Sequence, residues 1–392
     1  MKKLHTLRLP SWYLPHGGQF VCNQAQILKE FGFDVNVLAN VEISLSNDKL
    51  KYFTFPFKSK FCNEDGLLVY RHFFRCLPKA TQLNAKLWAK NTLKLFEKYQ
   101  KKFGKPDIIH VHSAIWGGYA AYLIKEKYNI PYIITEHRGR FGQSCDYAKN
   151  MFADWQTPLL EKAFSESSFI IPVSENLVPK IRTFLKKDVP IFSIPTVLNT
   201  DFFHYKKRNI SEKIRFVTTN GFYFVKGYDI LIPAFDAACN KNSNIEISIV
   251  GENFDGKDLK KIWKNVKNKD NFRFAGFQNT EGVRDELWQA DIFVLASRIE
   301  AQPSAVLEAL STGLPMVCTT VVPKVVATDE NSIVVPVENV DLLTNAIVEM
   351  AKNYQKYNGK NISEHIKLVA GKDAFAKQII EIYEQIINCQ NI

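Results

Sequence analysis

The sequence lacks a segment that could cross a membrane and a leader that could direct the chain out of the cell. No apolar run approaches the length of about 20 residues that a membrane-spanning helix requires. The chain opens with basic residues, but residues 4–10 then alternate in polarity and lack the apolar core of a secretory signal. We therefore expect a cytoplasmic protein.

Paired cysteines, repeats and low-complexity tracts are also missing. The seven cysteines are scattered, odd in number and never form a Cys-x-x-Cys pair, which favours a reducing compartment and disfavours a zinc site. The 392 residues are 46% hydrophobic and 23% charged, the composition of an ordinary globular protein. This length allows two domains with full cores.

Positive charge is in excess. The formal net charge is +11, from 51 lysines and arginines against 40 acidic residues. Such a balance predicts a polyanionic partner, for example a membrane surface, a phosphorylated lipid or nucleic acid. Nucleic acid is disfavoured because no recognition motif accompanies the charge.

Part of this charge recurs regularly along one predicted helix, residues 81–104. Lysines at every fourth position form one stripe, and apolar residues, including Leu83 and Leu87, form the other side. The stripe could contact anionic lipid headgroups, or it could be a solvated face of a helix that packs on a sheet. We keep both interpretations. The lysines are Lys86, Lys90, Lys94, Lys98 and Lys102.

Apolar strand-like runs alternate with helical patterns throughout the chain, which predicts an α/β protein with parallel sheets covered on both faces. A polar, charged passage at 199–213 separates the two halves, so we predict domains at 1–198 and 199–371. Residues 372–387 are predicted as an amphipathic helix. The predicted strands are 3–9, 34–38, 107–112, 132–135, 169–173, 191–194, 214–219, 245–250, 272–275, 292–295, 316–318 and 333–335.

A predicted short helix follows the apolar run 290–297, where the ligands of open α/β sheets bind. Pro303 fits its first position and Gly313 fits the left-handed residue after its end, so the helix should run about ten residues. The amides of its first turn, Ser304, Ala305 and Val306, lack intrahelical acceptors and carry the positive end of the helix dipole. They could bind a pyrophosphate.

Two glutamates flank that first turn. Glu300 precedes it, and Glu308 lies five residues inside, roughly 7–8 Å along the axis, which is close to the distance from a pyrophosphate to its ribose. Each carboxylate could accept sugar hydroxyls. The spacing alone would fit two unrelated surface glutamates, but the position after a buried strand favours a ligand site.

Further motifs occur in a fixed order along the chain; with the segment just described they are Ser11–Phe20, Asp107–His112, Ile134–His137, Val173–Glu175, Ile194–Asp201, Lys226 with Gly227, Ile249–Glu252 and Ser297–Pro315. These motifs and their order resemble the retaining glycosyltransferases of family 4. That resemblance implies the GT-B fold, two Rossmann-like doubly wound domains facing across a cleft. It further implies that the last helix, 372–392, returns to complete the first domain, which holds the acceptor, while the second domain holds the donor.

In the first domain, the resemblance draws attention to a glycine pair and a histidine. Gly17 and Gly18 would let the backbone approach a ligand, bordering the donor phosphates and the acceptor, although alone they fit an ordinary turn. His137, at a predicted strand end, would lie beside the donor sugar as a neutral imidazole. Without the resemblance it fits a structural histidine.

In the second domain, Lys226 would neutralise the leaving diphosphate. The chain departs from its family at two places. Gly221 replaces a frequent arginine, and the usual Gly-Gly followed by glutamate reads Thr320, Val321 and Lys324. We hypothesise that Lys324 restores part of the lost charge. The resemblance also places the residues that follow Gly276, which begin with Phe277, near the nucleobase.

The sequence therefore predicts a retaining glycosyltransferase that uses a UDP- or GDP-sugar, a hydroxyl acceptor that could be lipid-linked, and no cofactor or metal, since no Asp-x-Asp motif occurs. His137, Lys226 and Glu300 are the predicted catalytic residues. Retention could proceed through proton uptake by the leaving phosphate or through a double displacement. Three alternatives remain: a nucleotide-sugar-binding protein without transfer activity, a sugar-nucleotide 2-epimerase and a lipid-binding module without catalysis.

Overall fold

The computed structural model describes residues 3–46, 49–54, 58–142, 152–208 and 212–390. Within them the chain forms two compact units. The N-terminal unit contains the described residues up to Phe141, from Phe152 to Val197 and from Phe375 onward. The C-terminal unit contains those from Leu198 to Ala374.

The N-terminal unit is built on a seven-stranded sheet in the order β3-β4-β2-β1-β5-β6-β7. All pairings are parallel except that of β3 with β4. The strands are β1 His5–Pro10, β2 Asp34–Ile43, β3 Lys60–Glu64, β4 Leu67–Arg75, β5 Ile108–His112, β6 Tyr132–Glu136 and β7 Phe169–Pro172. The helices are α1 Gln19–Glu30, α2 Lys49–Thr54, α3 Thr81–Phe103, α4 Tyr119–Tyr128, α5 Thr157–Ser165 and α6 Val178–Arg182.

The C-terminal unit is built on a fully parallel six-stranded sheet in the order β10-β9-β8-β11-β12-β13. The strands are β8 Ile214–Thr219, β9 Ile245–Val250, β10 Phe272–Gly276, β11 Ile292–Leu295, β12 Met316–Thr319 and β13 Ser332–Val335. The helices are α7 Tyr228–Lys241, α8 Lys257–Trp263, α9 Thr280–Gln289, α10 Ser304–Ser311, α11 Val340–Asn353 and α12 Gly359–Ala370.

Both sheets have the strand order of a Rossmann fold, so the order reverses between β1 and β5 and between β8 and β11. Ligands of such sheets bind at the carboxyl ends of the strands where the order reverses. This topology therefore marks one edge in each unit as the place to look for a site.

The last helix, α13 Lys372–Gln390, belongs to the N-terminal unit from Phe375 onward. Its apolar face, which includes Ile379 and Tyr383, packs into the core formed by the parallel strands and α1. Of the predicted linker, residues 209–211 lie outside the described residues. The part before them packs on the C-terminal unit through Phe203, which is buried.

One prediction about the N-terminal sheet was wrong, and one element of the sheet was missed. Residues 191–194 run beside β7 but form only an isolated bridge, from Ile170 to Ile191. The Ile194 amide donates to the Pro172 carbonyl, but Pro172 has no N–H with which to continue the ladder. The hairpin of β3 and β4 was not predicted. Its turn, Asp65 and Gly66, has positive φ at both residues, the conformation that the Asp-Gly pair favours between antiparallel strands.

The predicted range of α3 was correct, but two of the residues predicted on its buried side are exposed. Trp88, Leu95, Phe96 and Tyr99 are buried, and the five lysines of the stripe are exposed. Leu83 and Leu87, expected on the buried side, are 48% and 38% exposed. The first turns of α3 therefore present apolar side chains as well as lysines to solvent.

Candidate active site

The clearest convergence of predicted residues lies at the carboxyl edge of the C-terminal sheet. Lys226 ends a helical turn that follows β8, and Glu300 lies in the loop that follows β11. The Lys226 Nζ lies 2.7 Å from the Glu300 Oε1, and the Ser297 hydroxyl donates to the same oxygen at 2.7 Å. The Glu300 side chain is only 8% exposed. The fold thus joins two predicted catalytic residues in one largely desolvated ion pair.

Four residues after Glu300, α10 presents its amino terminus. The helix begins at Ser304, so Pro303 is its capping residue rather than its first residue, and the helix is shorter than expected. The amide of Val306 already donates to the Pro303 carbonyl at 3.0 Å. In the described part of the chain, no acceptor takes the amides of Ser304 and Ala305. These two amides are the ones left to bind an anion.

Glu308 lies on the second turn of α10, between the buried residues Leu307 and Ala309. Among the described residues its carboxyl has no hydrogen-bond partner. Burial raises the pKa of Glu308 to about 7 from its usual value of 4.5, because the charged form loses hydration. The side chain therefore titrates near neutral pH, a property that the sequence pattern did not reveal.

Arg298 holds the Lys226 turn in place, a role that no sequence motif indicates. The buried guanidinium donates to the Phe224 carbonyl at 2.6 Å and to both carboxylate oxygens of Asp229, at 2.8 and 2.7 Å. Its Nε donates to Glu338 at 2.9 Å, and its backbone amide donates to Val225 at 2.8 Å. Side-chain and backbone bonds from one residue thus fix both positions that precede Lys226.

Gly227 fixes the turn from the other side. It has φ of +68°, and a Cβ there would lie 2.1 Å from the Ala296 carbonyl oxygen. Only glycine lets the chain after Lys226 pass this close to the loop that carries Glu300.

The space beside Gly221 is filled by an aromatic ring and a carboxylate. A Cβ at Gly221 would lie 2.7 Å from the Tyr223 ring and 3.1 Å from the Glu252 Cγ. The Tyr223 hydroxyl donates to Glu252 at 2.6 Å. At the position where the resemblance implies an arginine, this chain therefore brings a negative side chain toward the edge of the sheet. Phe277, directly after β10 at the same edge, is 74% exposed.

The second departure from the family pattern lies after β12. Val321 is buried, and Lys324 is exposed. The proposed compensation by Lys324 stays a hypothesis.

At the carboxyl edge of the N-terminal sheet, the predicted glycines and histidine lie close to one another. Gly17 and Gly18 both have φ near +90°, and a Cβ at Gly18 would lie 2.9 Å from the Trp12 carbonyl. The His137 ring packs on Phe20, in the first turn of α1, with 4.2 Å between ring centroids. Burial lowers the pKa of His137 to about 3, so its imidazole is neutral at physiological pH.

Glu136 organises this edge and was not singled out from the sequence. Its fully buried carboxylate accepts from the Ser113 hydroxyl and from the amides of Ala114, His137 and Arg138, each at 2.9 Å. Burial raises the pKa of Glu136, and these donors oppose the rise. The four bonds join the loop after β5 to the loop after β6 and thereby set the position of His137.

The described residues lack two further features. They contain no cluster of three or more His, Cys, Asp or Glu side chains suited to a metal ion. None of their helices combines the length and apolar character of a membrane span.

The fold and the two edges define an α/β protein built from two Rossmann-like units, and comparison with known proteins identifies the family. Residues 17–202 match the model of Glycosyltransferase Family 4, and residues 213–353 match that of Glycosyl transferases group 1. The chain belongs to the group 1 glycosyltransferases of the family 4 type and has the GT-B fold.

Similar sequences carry related names. The Bacillus subtilis protein named "Putative teichuronic acid biosynthesis glycosyltransferase TuaC" is 24% identical over 330 residues, which cover 80% of this chain and 79% of that protein. The phosphatidylinositol N-acetylglucosaminyltransferase GPI3 subunit of Saccharomyces cerevisiae is 27% identical over 183 residues, which cover 44% of this chain and 40% of the subunit.

Solved structures agree on the fold. Sucrose-phosphate synthase of Thermosynechococcus elongatus superposes with a TM-score of 0.75 at 18% identity, covering 98% of this chain and 100% of that one. Anabaena HepE in complex with UDP and glucose superposes with a TM-score of 0.72 at 14% identity, covering 97% and 100%.

Proposed function

We propose that this glycosyltransferase moves a sugar from a UDP- or GDP-sugar to a hydroxyl acceptor with retention at the anomeric carbon, without a metal. The observation that supports this most is the Lys226–Glu300 pair of 2.7 Å at the carboxyl edge where the strand order of the C-terminal sheet reverses. It provides a cation for a leaving diphosphate and a carboxylate for the hydroxyls of a donor sugar.

The donor would bind in the C-terminal domain, 199–371. Lys226 and the amides of Ser304 and Ala305 would stabilise the diphosphate as negative charge develops on it. Glu300 would orient the donor sugar and Glu308 would accept hydrogen bonds from the ribose. Gly221, Val306 and Phe277 would line the nucleotide.

The acceptor would bind in the N-terminal domain, 1–198 with the helix 372–392. Gly17 and Gly18 would let the backbone approach the reacting groups. The neutral imidazole of His137 would donate to, or accept from, a hydroxyl of the transferred sugar, since a ring with so low a pKa carries no charge to repel an oxocarbenium-like centre.

The acceptor class follows from the relatives and from the charge. One relative is named for teichuronic acid biosynthesis and others for phosphatidylinositol glycosylation. We propose a role in surface polysaccharide or glycolipid assembly at the cytoplasmic face of a membrane. The exposed lysines of α3 would contact anionic lipid there; they are Lys86, Lys90, Lys94, Lys98 and Lys102.

Donor binding and turnover can be measured separately. Calorimetry with UDP and GDP, followed by donor hydrolysis and transfer monitored by NMR, should show binding of one nucleotide and a product with retained configuration. Lys226→Met and Glu300→Gln should each reduce turnover by about 100-fold or more, by analogy with the loss of one transition-state donor. Lys241→Met is a matched control, because Lys241 is an exposed lysine at the end of α7.

The outcomes separate the alternatives. Donor binding without hydrolysis or transfer would indicate a nucleotide-sugar-binding protein, and conversion of the donor to its 2-epimer without acceptor would indicate an epimerase. Undiminished turnover in both substituted proteins would overturn the proposed site.

A further inference from the structure

One corner of the N-terminal unit exposes an unusual number of large apolar side chains. Leu50 is 74% exposed and Phe53 is 66% exposed on α2. Leu83 and Leu87, at 48% and 38%, lie one turn apart on α3. We call these four residues, with Leu45 and Leu77, the apolar corner; those two are 37% and 44% exposed.

Contacts at the carboxyl ends of β2 and β4 bring these elements together. The Cys76 amide donates to the Ile43 carbonyl at 2.9 Å and so joins the two strand ends. The Arg75 guanidinium lies over the Tyr52 ring of α2 at 5.5 Å. The backbone of Leu77 exchanges two hydrogen bonds of 2.8 Å with the side chain of Asn84, in the first turn of α3. These contacts place α2, the carboxyl ends of β2 and β4 and the first turn of α3 at one corner of the unit.

Helix α2 exposes most of its large apolar side chains to solvent. Its single buried residue is Tyr52, which anchors the helix, while Leu50 and Phe53 are three positions apart and share the opposite, exposed face. A helix that packs by one aromatic residue and exposes its two other large apolar residues buries less apolar surface than it could. Such an arrangement suits a surface that is covered by something else.

The charge around the corner indicates what covers it. Between 45 and 94 the sequence has ten lysines and arginines and three acidic residues, Asp48, Glu64 and Asp65. Glu64 and Asp65 lie at the β3–β4 turn, at the opposite end of β4 from the corner, and Asp48 lies outside the described residues. Exposed lysines adjoin the apolar side chains on both helices; they are Lys49, Lys51, Lys79, Lys86 and Lys90. Apolar residues ringed by lysines match the acyl chains and anionic headgroups of a bilayer surface.

We propose that the apolar corner inserts into an anionic lipid leaflet, with Leu50 and Phe53 as its deepest residues and the α3 lysines on the headgroups. The proposal extends the suggested membrane contact of the α3 lysines. Only the biological role of the insertion rests on the proposed function. Its test needs no glycosyl transfer. Lysines alone would predict binding that salt abolishes, whereas insertion predicts a fraction that salt does not remove.

Co-sedimentation with vesicles tests both components. The full chain should bind vesicles containing phosphatidylglycerol more tightly than vesicles of phosphatidylcholine alone, because the lysines add attraction to the anionic headgroups. The double substitution Leu50→Ser with Phe53→Ser should weaken binding by about tenfold or more and remove the salt-resistant fraction. Replacing the five stripe lysines by glutamine should weaken binding at low salt.

The C-terminal unit supplies matched controls. Leu342→Ser with Leu368→Ser removes two leucines that are 43% and 77% exposed. Replacing the exposed lysines of the α8 region by glutamine removes the same charge as the stripe substitution; they are Lys257, Lys260, Lys261, Lys264 and Lys267. Neither control should change vesicle binding.

Insertion can also be observed directly. Phe53→Trp should add a fluorescence component that brominated acyl chains quench, in excess of any quenching seen with the unsubstituted protein. Equal vesicle binding by the Leu50/Phe53 variant and its control, or no added quenching, would overturn the proposal. Self-association that these two substitutions abolish, without effect on vesicle binding, would instead identify the corner as a protein interface. Transfer to a short water-soluble acceptor should be unchanged in the Leu50/Phe53 variant, so loss of the proposed activity and loss of insertion are distinguishable.

Discussion

Glu308 couples the stability of the protein to pH, and replacement by glutamine should remove that coupling. The pKa of its carboxyl rises on folding from 4.5 to about 7 because burial penalises the charged form. A carboxyl with a raised pKa is protonated preferentially in the folded state. Its burial therefore costs nothing below the unfolded pKa and destabilises the fold increasingly as pH rises toward 7.

The size of the effect follows from the shift. A rise from 4.5 to about 7 is about 2.5 pKa units, and 1.36 kcal/mol per unit gives about 3 kcal/mol of stability lost between acidic and mildly alkaline pH. Glu308→Gln keeps the shape and carries no charge. Relative to the unsubstituted protein it should gain about this amount of stability on going from about pH 5 to about pH 8.

Chemical denaturation at several pH values measures this difference. Glu364→Gln is the control, because the Glu364 side chain on α12 is 62% exposed. A difference between the unsubstituted and Glu308→Gln proteins that stays constant from about pH 5 to about pH 8 would refute the assignment of a raised pKa to Glu308.

If Glu308 accepts hydrogen bonds from the ribose hydroxyls, the nucleotide affinity should depend on the ionisation of its carboxyl. Binding then favours the ionised carboxylate, so the affinity for the nucleotide should rise with pH through about 7 in the unsubstituted protein. The phosphate of the nucleotide titrates identically with both proteins, so the Glu308→Gln variant isolates the contribution of the carboxyl. Parallel pH profiles would show that the ribose does not contact Glu308.

Three further outcomes test the Lys226 turn and its ion pair. Arg298→Lys keeps the charge but loses the bidentate bond to Asp229, so the nucleotide affinity measured by calorimetry should fall about tenfold. An arginine-to-lysine substitution elsewhere should leave that affinity unchanged. Gly227→Ala should destabilise the fold by about 2 kcal/mol or more in denaturation, since its Cβ would lie 2.1 Å from a carbonyl oxygen; an unchanged midpoint would contradict the geometry. Lys226→Met and Glu300→Gln should be non-additive in a double-mutant cycle of donor binding, with a coupling of about 1–3 kcal/mol, whereas independent residues would add.

The sequence by itself determined the strands of the C-terminal sheet. β8, β9 and β11 begin and end at the predicted residues. β11 is a continuous apolar run, as expected of a central strand covered on both faces, and β9 alternates between apolar and polar residues. The sequence also determined that a short helix ends just before Gly313, whose φ of +85° few other residues adopt. Local patterns sufficed for these features, since each depends on residues that are neighbours in the chain.

Sequence patterns predicted the structure less well at the edge of the N-terminal sheet and at the start of α3. β3 is partly exposed and gives no continuous apolar run, although the apolar start of β4 and the Asp65-Gly66 turn were usable signals. Helical spacing identified the two sides of α3 correctly along most of its length. It could not show that Leu83 and Leu87 are exposed, because exposure depends on what packs against the helix.

Only the tertiary structure decided how the site residues are paired and charged. Lys226 and Glu300 are 74 positions apart, and they meet because β8 and β11 are adjacent where the strand order reverses. Arg298 and Glu136 hold the two edges in place through bonds that no local spacing predicts. The neutral state of His137 and the raised pKa of Glu308 arise from loss of hydration, which depends on every group packed around them rather than on their neighbours in sequence.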